Sequence, residues 1–337
     1  MARGLLIRDG AVCVQNAKLT HYPPLLPAAI RASMARSVNR VRENSGMDQQ
    51  YDRAAEDIGN IVSLEHVNTR IPDQRISTLF HVSGLGFTRD PYLMTSTDNM
   101  WINIGRSQFH LPTGGPQVVR GRIGLVVPDL ASLARRLAKV KPQLEGTRFD
   151  FREGNDAIDV VSPWGNRLRC HPPQDRFGRV NLGLPYVTFD VPPKSAAGIA
   201  RFYREIMGAP APLIDDDEGL RARVNVGKDQ YLLFRETDEP IPPYDGHHVQ
   251  IYIADFSGPY ERLKKRGLIM EESDRHQYRF KDIVDLDGGT LLFTIEHEVR
   301  SMRHPLFNRP LVNRNPDQTN TAYMPGHDAW VWQTENA

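Results

Sequence analysis

Ser63-Leu-Glu-His-Val-Asn-Thr-Arg-Ile71 and Gly246-His-His-Val-Gln-Ile-Tyr-Ile253 are two versions of one pattern. Each is a short run rich in apolar and β-branched residues, which reads as a strand, and each leads through a brief polar break into an amphipathic helix. Two further openings lie between them, Arg120-Gly-Arg-Ile-Gly-Leu-Val-Val-Pro-Asp129 and Leu184-Pro-Tyr-Val-Thr-Phe-Asp-Val191. A unit of strand, helix and two or three strands therefore occurs four times. His66 and His248 hold the same place in the first and last openings, and Glu296 lies in the closing strand of the last copy. Two imidazoles and one carboxylate on one metal, with positions left open, form the ligand set of non-haem iron(II) oxygen chemistry.

The first copy runs from a strand over 64–70 through Pro72-Asp73 into a helix, Gln74 to Val82, that stops at Gly84-Leu-Gly86; strands near 98–104 and 106–111 follow. In the second copy Leu130, Leu133, Ala134 and Leu137 give helical spacing over Leu130 to Val140, and a strand, tight turn and strand close it over Asp159 to His171. The third has a helix from Ser195 to Met207, ended by Gly208, and strands near 220–226 and 229–235. The fourth runs from a strand at 247–253 through a helix at 256–266 to strands near 277–284 and 290–296, joined by Asp285-Leu-Asp-Gly-Gly289. Domain expectations follow: an extension over 1–60 with a helix from Pro27 to Glu43, modules 1 and 2 over 61–172, modules 3 and 4 over 184–299, and an irregular tail over 300–337. Pro172 to Gly183 is the linker.

Lys plus Arg number 42 and Asp plus Glu 41, a net charge of +1, so nothing in the charge balance points to nucleic acid or an anionic membrane. Apolar residues at 40% and charged residues at 25% are ordinary for a soluble domain. Cys13 and Cys170 are the only cysteines, which excludes a disulfide framework and makes a reducing, cytoplasmic setting the expectation.

Four such units with these punctuations resemble the vicinal oxygen chelate superfamily, also called the glyoxalase/bleomycin-resistance/extradiol-dioxygenase fold. The marks are Pro72-Asp73, Pro128-Asp129 and Ala254-Asp255 after the opening strands, Gly-Leu-Gly86 and Ile-Met-Gly208 after the helices, and the closing turns Ser162-Pro-Trp-Gly165 and Asp285-Leu-Asp-Gly288. The resemblance covers residues 63 to about 298 and implies an α+β fold of four βαβββ modules that pair into two half-barrel cavities. It also implies metal ligands on the first and last strands of the paired modules. In copy one these slots are His66 and His110, in copy two Arg122 and Arg169. In copy three they fall near Tyr186 and Phe234, and in copy four they are His248 and Glu296. Pairing 1–2 and 3–4 leaves no full ligand set, because guanidinium cannot ligate a metal. Pairing 1–4 and 2–3 gathers His66, His248 and Glu296, with His110 nearby, a layout similar to the hydroquinone-cleaving dioxygenases. Glu296 falls beyond the usual carboxylate slot near Leu292–Phe293, which requires a bulge or longer turn, and Glu298 on the same strand face is its substitute.

The resemblance further implies that His276 and Tyr278, on the strand bordering the metal, manage substrate protons, with Arg279 facing the other way. His110 is either a fourth ligand or an acid–base group. His247, on the opposite strand face, is the rival of His248, while His171, His297, His304 and His327 have no positional argument. Arg122 and Arg169 read as a half that has lost its metal, with anion binding as the alternative. The expected activity is Fe(II)-dependent extradiol-type cleavage of a small dihydroxylated aromatic by O2, in a homo-oligomer, with Mn, Zn, Ni or Co as other metals. The rivals are a metal-dependent glyoxalase- or epimerase-type lyase or isomerase, and a non-catalytic binding protein.

Overall fold

The structure, a computed structural model, describes residues 51–93, 98–319 and 321–323. The helix expected over Pro27 to Glu43, and His327, lie outside the described residues. The chain divides into a unit over Met1–Glu56, whose described part ends in a 3-10 turn at Arg53–Glu56, and a unit over Asp57–Ala337. The larger unit holds all four copies.

Copy one comprises β1 (Ile61–Asn68), α1 (Gln74–Thr78), β2 (Thr88–Arg89), β3 (Asn99–Ile104) and β4 (Ser107–Pro112). Copy two comprises β5 (Gly121–Val126), α2 (Leu130–Val140), β6 (Asp150–Glu153), β7 (Ile158–Val161) and β8 (Arg167–His171). Copy three comprises β9 (Gly183–Val191), α3 (Ala196–Phe202), β10 (Leu213–Ile214), β11 (Arg221–Asn225) and β12 (Tyr231–Glu236). Copy four comprises β13 (His248–Ile253), α4 (Ser257–Lys265), β14 (Ile269–Asp274), β15 (Gln277–Val284) and β16 (Leu291–Ser301).

The Pro-Asp marks act as helix caps. The Asp73 carboxylate accepts hydrogen bonds from the backbone N–H groups of Arg75 and Ile76, and Asp129 does the same for Ala131 and Ser132. The helix that begins at Gln74 continues into a wider turn over Leu79–Gly84, and the one that begins at Ala196 continues over Tyr203–Met207. Gly208 ends the latter with φ +69°, a left-handed conformation that glycine reaches without a Cβ penalty.

Two eight-stranded mixed sheets result. One has the order β14-β15-β16-β13-β1-β4-β3-β2, the other β10-β11-β12-β9-β5-β8-β7-β6. The first draws its strands from copies one and four, the second from copies two and three. The opening strands meet antiparallel at the centre of each sheet, β1 against β13 and β5 against β9. Apolar side chains from both sheets and the helices join in one core, in which Phe80, Phe189, Phe202, Tyr203 and Phe280 are fully buried. Each such ring contributes about 1.5–3 kcal/mol by leaving water.

The segment over 172–183 is more than a spacer, since it contains a 3-10 turn at Asp175–Phe177 whose Phe177 is buried against Tyr186. The tail packs as an irregular strap along the first sheet. Arg309 pairs at 2.9 Å with the wholly buried Asp90, and the Asn313 side chain bonds both backbone groups of Gly105. Among the described residues, no helix is long and apolar enough to cross a membrane.

Candidate metal centre

Strand register assembles the site as two neighbouring rows on one face of the first sheet. In the first row Trp101 of β3 lies opposite His110 of β4, His110 opposite Asn68 of β1, Asn68 opposite His248 of β13, and His248 opposite Glu296 of β16. In the second, Gln108 lies opposite His66, His66 opposite Gln250, Gln250 opposite Glu298, and Glu298 opposite Arg279. Because strand neighbours i and i+2 share a face, His66 and Asn68, His248 and Gln250, and Glu296 and Glu298 all project to the same side.

The ligand-capable atoms of His66, His110 and His248 lie within 4.8 Å of one another. The Nε2 atoms of all three are buried and have no hydrogen-bond partner. Orphaned buried polar atoms are rare in folded proteins, and three imidazoles gathered this closely match the nitrogen donor set that zinc, iron and nickel accept. The other ring nitrogens are engaged. Nδ1 of His66 lies 2.8 Å from Oε2 of Glu65, and Nδ1 of His110 lies 2.7 Å from the Asn68 amide. With that amide turned so its oxygen accepts, Nδ1–H of His110 donates and Nε2 keeps its lone pair. Trp101 stacks flat on His110 at 3.8 Å between centroids. Burial pushes the His66 and His110 pKa values far down, so both rings stay neutral and able to ligate.

Two carboxylates border the imidazoles. Oε2 of Glu298 lies 3.5 Å from Nε2 of His248, and Oε1 of Glu296 lies 3.6 Å from Nδ1 of the same ring. Arg279 spans both, at 2.5 Å from each, and Arg300 holds the other oxygen of Glu298 at 2.5 Å. Burial works against ionisation of Glu298, but the contact with His248 and the two guanidiniums prevail and hold its carboxyl well below the usual range. Glu65 is the opposite case, for burial pushes it up to about 7 although Arg300 pulls it down.

The bulge anticipated before Glu296 is present. Between the pairs Asp282–Thr294 and Phe280–His297 the chain advances two residues on β15 and three on β16. Glu298, buried and beside Nε2 of His248, stands better placed than Glu296 as a carboxylate donor. His247 points to the other face, pairing with Asp245 at 2.6 Å and stacking on Phe189.

The structure does not bring His276 or Tyr278 to this cluster. His276 is half-buried in the turn between β14 and β15, with its ring against Arg275 and Ser301, and Tyr278 packs against Phe256 and Tyr260 on the helix side. Arg279 takes the inward position instead. In the second sheet Arg122 and Arg169 occupy the places of His66 and His110, and Tyr186 lies opposite Gly124 as His248 lies opposite Asn68. The next position in that row is Tyr231, not Phe234, which is buried in the core against Phe189 and Tyr203. Glu65, Gln250 and Arg300 escaped the sequence reading. A charged residue next to His66 inside an otherwise apolar strand was the available signal for Glu65.

Two βαβββ units joined edge to edge through their opening strands, twice over, with the metal-capable residues on the inner strands of one sheet, decide the architecture. The chain has the vicinal oxygen chelate fold. No family model and no curated protein matches the sequence. Solved structures to which the chain is similar include glyoxalase I from Zea mays, 13% identical, aligned over 74% of this chain and 95% of that one with a TM-score of 0.49. A candidate dioxygenase from Bacillus subtilis is 14% identical over 75% of this chain and 91% of its own, with a TM-score of 0.47. Homoprotocatechuate 2,3-dioxygenase from Arthrobacter globiformis is 17% identical over 74% of this chain and 83% of its own, with a TM-score of 0.28. The vicinal oxygen chelate fold hosts several chemistries, so activity has to be argued from the site.

Proposed function

We propose that the protein is a metal-dependent enzyme, and that its reaction is ring cleavage of a small dihydroxylated aromatic by O2 with iron(II) as the metal. The observation that carries this reading is the gathering of three buried imidazoles, His66, His110 and His248, whose Nε2 atoms have no hydrogen-bond partner, at one end of the paired opening strands. These three imidazoles would hold the cation. When bound, the cation supplies Lewis acidity that lowers the pKa of a substrate hydroxyl, and iron(II) adds one-electron chemistry toward O2. Arg279 and Arg300 each lie 2.5 Å from an oxygen of Glu298, so the three imidazoles would be the protein's donors, and the cation would keep positions open for substrate oxygens and O2.

The surrounding residues do the rest. Glu65 orients His66 through Nδ1. Both ends of the Gln250 amide are buried and unpartnered in the row between His66 and Glu298, where they are free to bond substrate oxygens. Trp101 supplies an aromatic wall. The buried setting excludes water from the reacting groups.

A second reading rests on the 3.5 Å approach of Glu298 Oε2 to His248 Nε2. If Glu298 left Arg279 to join the donor set, there would be four protein donors, a set that would suit a lyase or isomerase in which zinc, nickel, manganese or cobalt would supply Lewis acidity. Elemental analysis of anaerobically purified protein, beside His66→Ala, His110→Ala and His248→Ala, tests the site: about one metal per chain is expected, lost in each variant. Full retention in all three variants overturns it. Oxygen uptake with catechols and hydroquinones then separates the two reactions.

A further inference from the structure

The second sheet carries a face that the metal centre does not use. It repeats the register of the first, with guanidiniums at the places of His66 and His110 and tyrosines at those of His248 and Glu296. Arg122 lies opposite Thr188, and Arg169 lies opposite Gly124, two residues along from Arg122 on the same side. Arg223 stands further along the row that begins at Arg122, with Thr188 and Leu233 between them.

These groups are poorly satisfied within the chain. The Nε atoms of Arg122 and Arg223 are buried without a hydrogen-bond partner, and so are Thr188 Oγ1 and Asn225 Oδ1 in the same two rows. The nearest carboxylates stand off: Glu218 lies 3.6 Å from Arg122, and Asp159 and Asp156 lie 3.5 and 3.7 Å from Arg169. Each of these carboxylates is more exposed than its arginine. Long ion pairs whose carboxylates lie in solvent are weak, so they compete poorly with a ligand that meets the guanidinium fork in two hydrogen bonds. His171, hydrogen-bonded to the Tyr186 hydroxyl at 2.9 Å, borders the patch and stays neutral because burial and Arg176 push its pKa down to about 4.

We propose that this face is a binding site for a small oxyanion, a carboxylate or phosphate group gripped between Arg122 and Arg169. Tyr186 and Tyr231 follow in the neighbouring row, with Arg223 over the Tyr231 ring. The site is separate from the metal centre in residues and in sheet.

The test is calorimetric titration of the full chain with inorganic phosphate and with succinate at fixed ionic strength. Saturable binding of at least one is expected, weakened tenfold or more in Arg122→Gln and in Arg169→Gln and unchanged in His248→Ala. Preference for phosphate or for succinate names the source of the oxyanion. Far-ultraviolet circular dichroism and thermal midpoints of both arginine variants verify folding, and the His248→Ala arm keeps this result distinct from failure of the metal site. No saturable binding of either anion, or binding that survives both arginine substitutions, overturns the proposal.

Discussion

Glu65 Oε2 sits 2.8 Å from Nδ1 of His66, although the two residues are adjacent on one strand. Regular alternation sends neighbours to opposite faces. A bulge resolves the conflict: the β1–β13 register slips between Leu64 and His66, so two steps on β1 face one on β13. The carboxylate thereby meets the far nitrogen of a ring whose Nε2 points at the metal position, the arrangement that fixes tautomer and raises ligand basicity. Glu65→Gln is expected to lower metal affinity about 10–100-fold while the fold persists. Titration with a divalent metal under competition from a chelator measures it; affinity equal to wild type would show that Glu65 does not orient the ring.

Glu298 and Glu296 share Arg279 but differ in how much they hold. Glu298 also anchors Arg300, and it is the more buried of the two. Removing its charge leaves two guanidiniums facing each other with one carboxylate fewer, and breaking a buried pair costs about 3–5 kcal/mol. Metal-free Glu298→Gln should therefore unfold at markedly lower urea than Glu296→Gln. Equal midpoints would mean that Arg279 and Arg300 find other partners.

The opening strands were legible because two histidines stood at matching places in apolar runs, and the helix ends because aspartate caps and glycine stops are local signals. The pairing of copies one and four into one sheet is a tertiary fact, reachable from the sequence only through the distribution of ligands. His276 and Tyr278 misled for a reason of register. The β14–β15 turn falls at 275–276, which takes His276 out of the strand, and β15 begins so that Tyr278 and Phe280 face the helices while Arg279 faces the site. No period-2 reading of Asp274 to Phe280 can locate that turn, since every residue around it is polar. Glu65 was hidden by the bulge, which breaks the alternation on which such readings depend.

Gly121 and Gly115 offer a contrast in backbone packing. A Cβ on Gly121 would run into the Thr188 carbonyl oxygen and the Phe189 backbone across the β5–β9 seam, where no flexible side chain can yield. A Cβ on Gly115 meets nothing within 4 Å. Gly121→Ala is expected to destabilise by at least 1–3 kcal/mol, the range for overpacking, and Gly115→Ala to stay within about 0.5 kcal/mol of wild type. Urea midpoints of the two variants, measured together, decide this; a neutral Gly121→Ala would mean the seam can spread.

His81 gives the acid limit of stability a specific source. Its ring is buried, bonded to Ser77 and stacked edge-on to Phe80, and burial lowers its pKa from 6.5 to about 4. Between those values the unfolded chain binds the proton and the folded chain does not, so stability rises with pH through the window. The contribution is complete above about pH 6.5 and lost as the pH falls toward 4, on the order of 3 kcal/mol across the full shift. His81→Gln cannot titrate there, so its urea midpoint should fall less steeply than that of wild type between pH 6.5 and 4, even if it starts lower. The difference between the two slopes isolates His81 from the other described histidines whose pKa burial lowers, among them His66, His110, His171, His247 and His297, which are the same in both proteins. Parallel slopes would place the proton uptake elsewhere and leave His81 charged or exposed before the chain unfolds.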